Sequence, residues 1–261
     1  PPPTGFSQAG LCDVIAGLAE SAACVDDLDT GHVLYSVGPD RLRLVAMKMA
    51  SHPNALPLLI AACEAFAAVA HDGEVGALAV IEAGALPPVC TALAQHGRSD
   101  GRLRHSALST LAATSCTLAG RIKIKMLGAL AGIVAAIEAD VRADACEWGC
   151  TTLANLACDD TQGKRAVALA GTVKAVCAAM QTQKYRAQLQ ASACRVLGNL
   201  CAEPSLTGPV AYVGAIHLVI VAMITHSSDA AVQEEAVGAS RFECYARQRA
   251  AAPPPSPPPP P

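Results

Sequence analysis

Gly84-Ala85-Leu86-Pro87-Pro88-Val89-Cys90 returns three times in altered form. The later copies are Gly128-Ala129-Leu130-Ala131-Gly132-Ile133-Val134, Gly171-Thr172-Val173-Lys174-Ala175-Val176-Cys177 and Gly214-Ala215-Ile216-His217-Leu218-Val219-Ile220. The four glycines stand 44, 43 and 43 residues apart. A fixed period of this size marks a stacked helical repeat, whose unit cannot bury its apolar face alone and closes it against the next copy. A chain spent on one packing unit builds an extended surface, and the expectation that follows is binding.

Reading outward from each glycine divides a copy into three helical segments. A short one precedes the glycine: Gly76 to Ala83, Arg121 to Leu127, Gly163 to Ala170 and Pro209 to Val213. An apolar helix of about ten residues follows it. A polar break comes next (Gln95 to Gly101, Glu138 to Ala143, Gln181 to Tyr185, His226 to Asp229), and then a longer third helix on the 3.6-residue period. Two third helices carry Leu153-Ala154-Asn155-Leu156-Ala157 and Leu197-Gly198-Asn199-Leu200-Cys201. Aligned on the two asparagines, the position two before holds Phe66, Leu111, Leu153 and Leu197, and the position six before holds Ala62, Ala107, Gly149 and Ala193. The large residue fills the core of its own copy, and the small one lets a neighbouring helix approach.

These residues, with Ala83-Gly84-Ala85-Leu86-Pro87 and Val232-Gln233-Glu234-Glu235-Ala236, make the chain resemble the armadillo repeat family over roughly residues 40 to 240. HEAT repeats stack helices at a similar period, and the additional short helix before each glycine favours armadillo. The resemblance implies an all-α, right-handed superhelical solenoid of three-helix repeats whose third helices line a concave groove. The expected organisation is an irregular N-terminal partial repeat over 1–39, the solenoid over 40–239 and a disordered Pro-rich tail over 240–261. Asp26-Asp27-Leu28-Asp29-Thr30-Gly31 reads as a solvated turn, lacking the third carboxylate and closing Glu of a calcium loop. Beyond Gly238 the register is lost, with Ser240 where Leu belongs and Phe242 where Asn belongs, so a truncated or misjoined end is expected after about 239. A first residue Pro1 rather than Met raises the expectation of a fragment.

Composition agrees with a helical stack. The chain has 261 residues, 52% apolar and only 3% aromatic, and alanine, the best helix former, dominates. A net charge of −3 and the lack of a basic stripe with stacking aromatics point away from nucleic acid. No apolar run reaches the length of a bilayer span. Seven of the twelve cysteines follow the repeat register: Cys63, Cys150 and Cys194 share one position, Cys90 and Cys177 a second, Cys116 and Cys158 a third. They are expected to be small buried hydrophobes of a reduced, cytoplasmic protein, with the nucleus also open as a compartment. There is no CxxC pair, and Cys146 with Cys150 lacks the further ligands a structural zinc site needs. No metal or cofactor is expected.

Motifs for catalysis are missing: no GxxxxGK[ST], GxGxxG, GxSxG or HExxH occurs, and the seven histidines are scattered. The candidate functional surface is instead the third-helix face, where residues at i, i+4 and i+7 align. Trp148, Thr151 and Asn155 form one row, and Gln188, Ser192, Arg195 and Asn199 the next. Ser109 and Ala113 precede them, with His105 and Arg102 one and two turns earlier. The resemblance implies that Asn155 and Asn199 hydrogen-bond the backbone of an extended peptide, a side-chain amide being both donor and acceptor. The same asparagines could equally bridge neighbouring repeats. Ala68 and Ala113 stand where two more would be. Nuclear-import receptors of the family carry Trp four residues before the Asn; here Thr151 and Arg195 hold that place, so a nuclear-localisation-signal receptor is not expected. Arg195 would suit a carboxylate in a ligand, and Trp148 an apolar anchor.

The expected function is a non-catalytic scaffold or adaptor that holds a peptide or partner protein in the groove. A regulatory or targeting region of a larger enzyme, such as a kinase or ubiquitin ligase, is the alternative. A structural protein of a cilium or junction is the third. Pro253 to Pro261 would form polyproline II and could dock on SH3, WW or profilin-type grooves, or simply be a biased terminus.

Overall fold

Each of the four recurring glycines ends a helix in the computed structural model of the chain, which describes residues 39–140, 144–158 and 160–239. Expectations for the N-terminal partial repeat and the Pro-rich tail fall on 1–38 and 240–261, outside the described residues. Among the described residues every regular element is helical. Helices α1 (Pro39–Ser51) and α2 (Leu56–Ala70) pack as the second and third helices of a unit. Three complete copies follow: α3 (Gly73–Glu82), α4 (Leu86–His96) and α5 (Gly101–Ser115); α6 (Leu118–Met126), α7 (Leu130–Ala139) and α8 (Ala145–Leu156); α9 (Thr161–Leu169), α10 (Thr172–Thr182) and α11 (Ala187–Cys201). Helices α12 (Pro204–Tyr212), α13 (Ala215–Thr225) and α14, over 230–239, form the last.

The glycines recur because the chain must turn sharply in a left-handed conformation. Gly84, Gly128, Gly171 and Gly214 have φ of +76°, +65°, +87° and +83°, where a side chain would clash with its own carbonyl. In the first two copies the stop is a Schellman motif. Gly84 N–H donates to Ile81 O and Ala85 N–H to Val80 O; Gly128 N–H donates to Lys125 O and Ala129 N–H to Ile124 O. The last carbonyls of the first helix are thereby satisfied while the axis swings. The bend is 83° between α3 and α4 and 77° between α12 and α13.

First helices begin earlier than the sequence suggests, at Gly73, Leu118, Thr161 and Pro204. Gly76 and Gly163, read as starts, lie in the first turn, as does Gly120, just before Arg121, in α6: Thr117 Oγ1 accepts from Gly120 N–H at 3.0 Å, and Asp160 Oδ1 accepts from Gly163 N–H. They are glycines because the preceding third helix ends against them. A methyl group on Gly76 would stand 2.0 Å from Val69 O, and one on Gly120 2.0 Å from Thr114 O. Pro209 likewise lies within α12, which Pro204 opens from the first turn, where a missing N–H costs nothing.

The core is a continuous column through the stack. Phe66, Leu111, Leu153 and Leu197 are buried at one register, and Ala62, Ala107, Gly149 and Ala193 at another. Consecutive third helices make the closest packing in the molecule. A second periodic device joins each third helix to the second helix before it. Nine residues ahead of the asparagine register stand Arg104, Cys146, Gln190 and Gln233, and each donates to the carbonyl end of that second helix. Arg104 reaches Gly97 O at 3.0 Å, Cys146 Sγ reaches Asp140 O at 3.2 Å, Gln190 Nε2 reaches Met180 O at 3.0 Å and Gln233 Nε2 reaches Met223 O at 2.9 Å. One place in the repeat therefore caps helix carbonyls with three different side-chain chemistries.

The two kinds of glycine carry different penalties. Gly128→Ala meets no atom within 4 Å and pays only for left-handed backbone, about 1–2 kcal/mol. Gly120→Ala forces backbone to move and is expected to cost more, about 2–3 kcal/mol. Urea unfolding followed by circular dichroism ranks the two variants, Gly120→Ala having the lower midpoint.

Candidate functional site

Helices α2, α5, α8, α11 and α14 run side by side, so their outward rows form one polar face. Hydrogen bonds cross that face from repeat to repeat. His71 Nε2 and Ser109 Oγ are 2.9 Å apart, Thr151 Oγ1 and Ser192 Oγ 3.0 Å. Asn155 Nδ2 donates to Ser115 Oγ at 3.0 Å, and Asn199 Nδ2 donates to Ala154 O at 2.8 Å. The asparagines thus bridge neighbouring repeats. A carbonyl can only accept, so the bond to Ala154 fixes which way the Asn199 amide points. Both residues are half-buried, and no described residue donates to either Oδ1.

Trp148 lies half-buried against the core, its ring centroid 5.1 Å from that of His71 and tilted by 55°. It therefore reaches from the second complete copy to His71 at the end of α2. Desolvation holds His71 below its ordinary pKa of 6.5, favouring the neutral ring. Glu64, which shares its register with Ser109, Thr151 and Arg195, pairs with Arg102 at 2.8 Å. Gln188 is exposed at the start of α11.

Arg195 has a carboxylate beside it within the chain. Glu235 of α14 lies near enough that the guanidinium favours its charged form, although burial, the larger effect, raises its pKa. The Arg195 Nε is buried with no hydrogen-bond partner among the described residues.

Sequence reasoning passed over His71, Ser115 and Glu64. His71 was findable, since it stands three residues after the asparagine register at the same place as Cys116 and Cys158. Those two cysteines correct the expectation that all in-register thiols are core filler: both are exposed, at the ends of α5 and α8. Asn155 touches both, its Nδ2 lying 3.8 Å from Cys116 Sγ while its carbonyl accepts from Cys158 Sγ at 3.0 Å. Cys63, Cys150, Cys177 and Cys194 are buried as expected and Cys90 half-buried. Burial pushes Cys90, Cys194 and Cys201 up to about 12 and Cys146 and Cys177 to about 11. Among the described residues no group of three or more His, Cys, Asp or Glu is placed to hold a metal ion. No single helix there is long and apolar enough to cross a membrane.

Two measurements follow. Peptide-mapped alkylation near neutral pH labels Cys116 and Cys158 first among the nine described cysteines, the buried thiols reacting only on unfolding. An NMR titration places His71 below 6.5, and Trp148→Ala moves it back towards that value by rehydrating the ring.

No protein-family model matches the sequence, and no curated protein is similar to it. Solved structures are similar in fold. A designed armadillo repeat protein superposes with a TM-score of 0.73 at 16% identity, covering 92% of this chain and 95% of that one. A computationally designed armadillo repeat protein for modular peptide recognition gives 0.73 at 17%, covering 90% and 94%. A designed armadillo repeat protein in complex with the peptide (KR)4 gives 0.59 at 16%, covering 87% and 98%. With its three-helix copies, left-handed glycine stops and continuous row of third helices, this chain has the right-handed superhelical fold of the armadillo repeat solenoids.

Proposed function

We propose that the chain is a non-catalytic scaffold or adaptor that holds an extended peptide, or an extended segment of a partner protein, along the face formed by α2, α5, α8, α11 and α14. The observation that carries this reading is the pair of half-exposed asparagine amides. Each spends its nitrogen on the neighbouring repeat, and its oxygen is left without a donor from the described residues. An acceptor held in place beforehand can take a backbone N–H without paying to order itself. Bridging repeats and contacting a peptide are then compatible roles of one side chain. Trp148 adds an apolar, partly open ring beside them, with Thr151, Ser192, Ser109 and Gln188 as polar flanks. Arg195, beside Glu235, orients whatever acidic group approaches that end. Peptide recognition by designed proteins of like fold supports the same reading.

The test is selection of extended peptides against the full chain from a display library, followed by fluorescence anisotropy on the best binder. Asn155→Ala/Asn199→Ala is expected to weaken binding by roughly 10- to 100-fold, the loss of two hydrogen bonds. Circular dichroism confirms that the double variant is still folded, since Asn199→Ala also removes the bond to Ala154. Equal affinity of the folded double variant and the parent excludes the groove reading.

A further inference from the structure

We propose that the first-helix edge of the solenoid is a second docking surface, shaped for an acidic amphipathic helix of a partner protein. It is separate from the third-helix groove and rests on different residues.

The position two before each repeat glycine is apolar and open in three consecutive copies: Met126 is 76% exposed, Leu169 88% and Tyr212 93%. Leu118 and Ile122 are exposed on α6, and Val213 beside Tyr212. Apolar residues scattered singly on a surface need no explanation, but a row at one register of a repeat makes a continuous stripe. The stripe has relief. Ile122, Met126 and Leu130 line one wall of a cleft whose other wall is Gln162, Gly163 and Ala166 of the next first helix, with Lys125 and Asp160 paired at 3.4 Å beside it. Small residues there leave room for an inserted side chain.

Charge selects the occupant. Helices α6 and α9 carry Arg121, Lys123, Lys125, Lys164 and Arg165 and no carboxylate. Lys125 and Arg165 pair with Asp160 and Glu203, and Arg121 donates to Ser115 and Cys116 carbonyls. Lys123 and Lys164 make no ion pair within the described chain, although the chain as a whole carries −3. An apolar row on helices with two such cations and no carboxylate of their own fits a partner that is apolar on one stripe and acidic on its flanks. Spacing selects a helix. Consecutive copies, joined through their packed second and third helices, stand about 8–10 Å apart, and seven residues of a partner helix rise about 10.5 Å. Apolar residues at heptad spacing would therefore meet Met126, Leu169 and Tyr212 in turn. A lipid surface needs no such register.

The probe is a synthetic acidic helical peptide with leucines at every seventh position and glutamates beside them, titrated against the full chain by fluorescence anisotropy. A control of the same composition has the leucines shuffled out of register. The heptad peptide is expected to bind at least about ten-fold tighter than the control, and Met126→Ser/Leu169→Ser/Tyr212→Ser to lose at least about ten-fold, as for removal of an interface centre. These residues are exposed, so folding is not at stake. Lys123→Glu/Lys164→Glu is expected to weaken binding and flatten its salt dependence. Asn155→Ala/Asn199→Ala is expected to bind the peptide as the parent does. Equal binding of the two peptides, no loss in the triple-serine variant, or no binding at all overturns the proposal. So does co-sedimentation with phosphatidylserine vesicles that depends on Met126, Leu169 and Tyr212 while the peptide fails to bind, which would assign the stripe to a membrane.

Discussion

A glycine held in the left-handed region ends every first helix among the complete copies, and the rest of the solenoid depends on that turn. It lets the helix close its last carbonyls and leave at a steep angle within one or two residues. The angle lays the second helix across the first, and the second helix in turn delivers the third to the stack. An L-residue with a side chain could adopt the same backbone only under strain, repeated in every copy. Because the constraint is local, it tolerates wide variation in the residues that follow, from Ala85-Leu86-Pro87 to Thr172-Val173-Lys174.

Stacking then imposes its own requirements, and these are pairwise. Within a copy the third helix must bring a small residue to meet the second, as Gly149 does against Ile137, where a methyl group would lie 2.7 Å from the Ile137 Cγ1. That second helix must also have its carbonyls capped, a duty that an arginine, a cysteine and two glutamines discharge at one register. Histidines repeat another contact: His96 and His226 each bond a carbonyl of the preceding copy, Pro53 O and Lys184 O, at 2.9 Å. Ion pairs between copies, such as Arg102 with Glu64 and Arg98 with Glu138, add little each because they are exposed. The stack is held chiefly by its buried column.

The polar third-helix face is shaped by the same demands. Asn155, Asn199, Thr151 and Ser109 all hold neighbouring repeats together before they hold anything else, and Trp148 braces His71 two copies away. A surface fixed in this way is pre-organised, which favours recognition of an extended chain. The first-helix edge is the opposite case: Met126, Leu169 and Tyr212 stand largely in water.

The period, the glycine stops, the large and small core registers and the row holding Asn155 and Asn199 were all legible in the residues, because each is set within a copy or by strict repetition. Where reading failed, the deciding neighbour lay on another helix. Gly76 resembled a helix start until the Val69 carbonyl packed against it explained the missing side chain. Cys116 and Cys158 shared a register, as the buried thiols did, but a shared register says nothing of which side of the helix end faces solvent. The asparagine motif announced a groove residue, yet its amide nitrogen found a partner only when Ser115 and Ala154 were carried alongside by the stack. Local backbone chemistry decides the shape of one copy, and contacts between copies, invisible along the chain, decide what its polar groups are free to do.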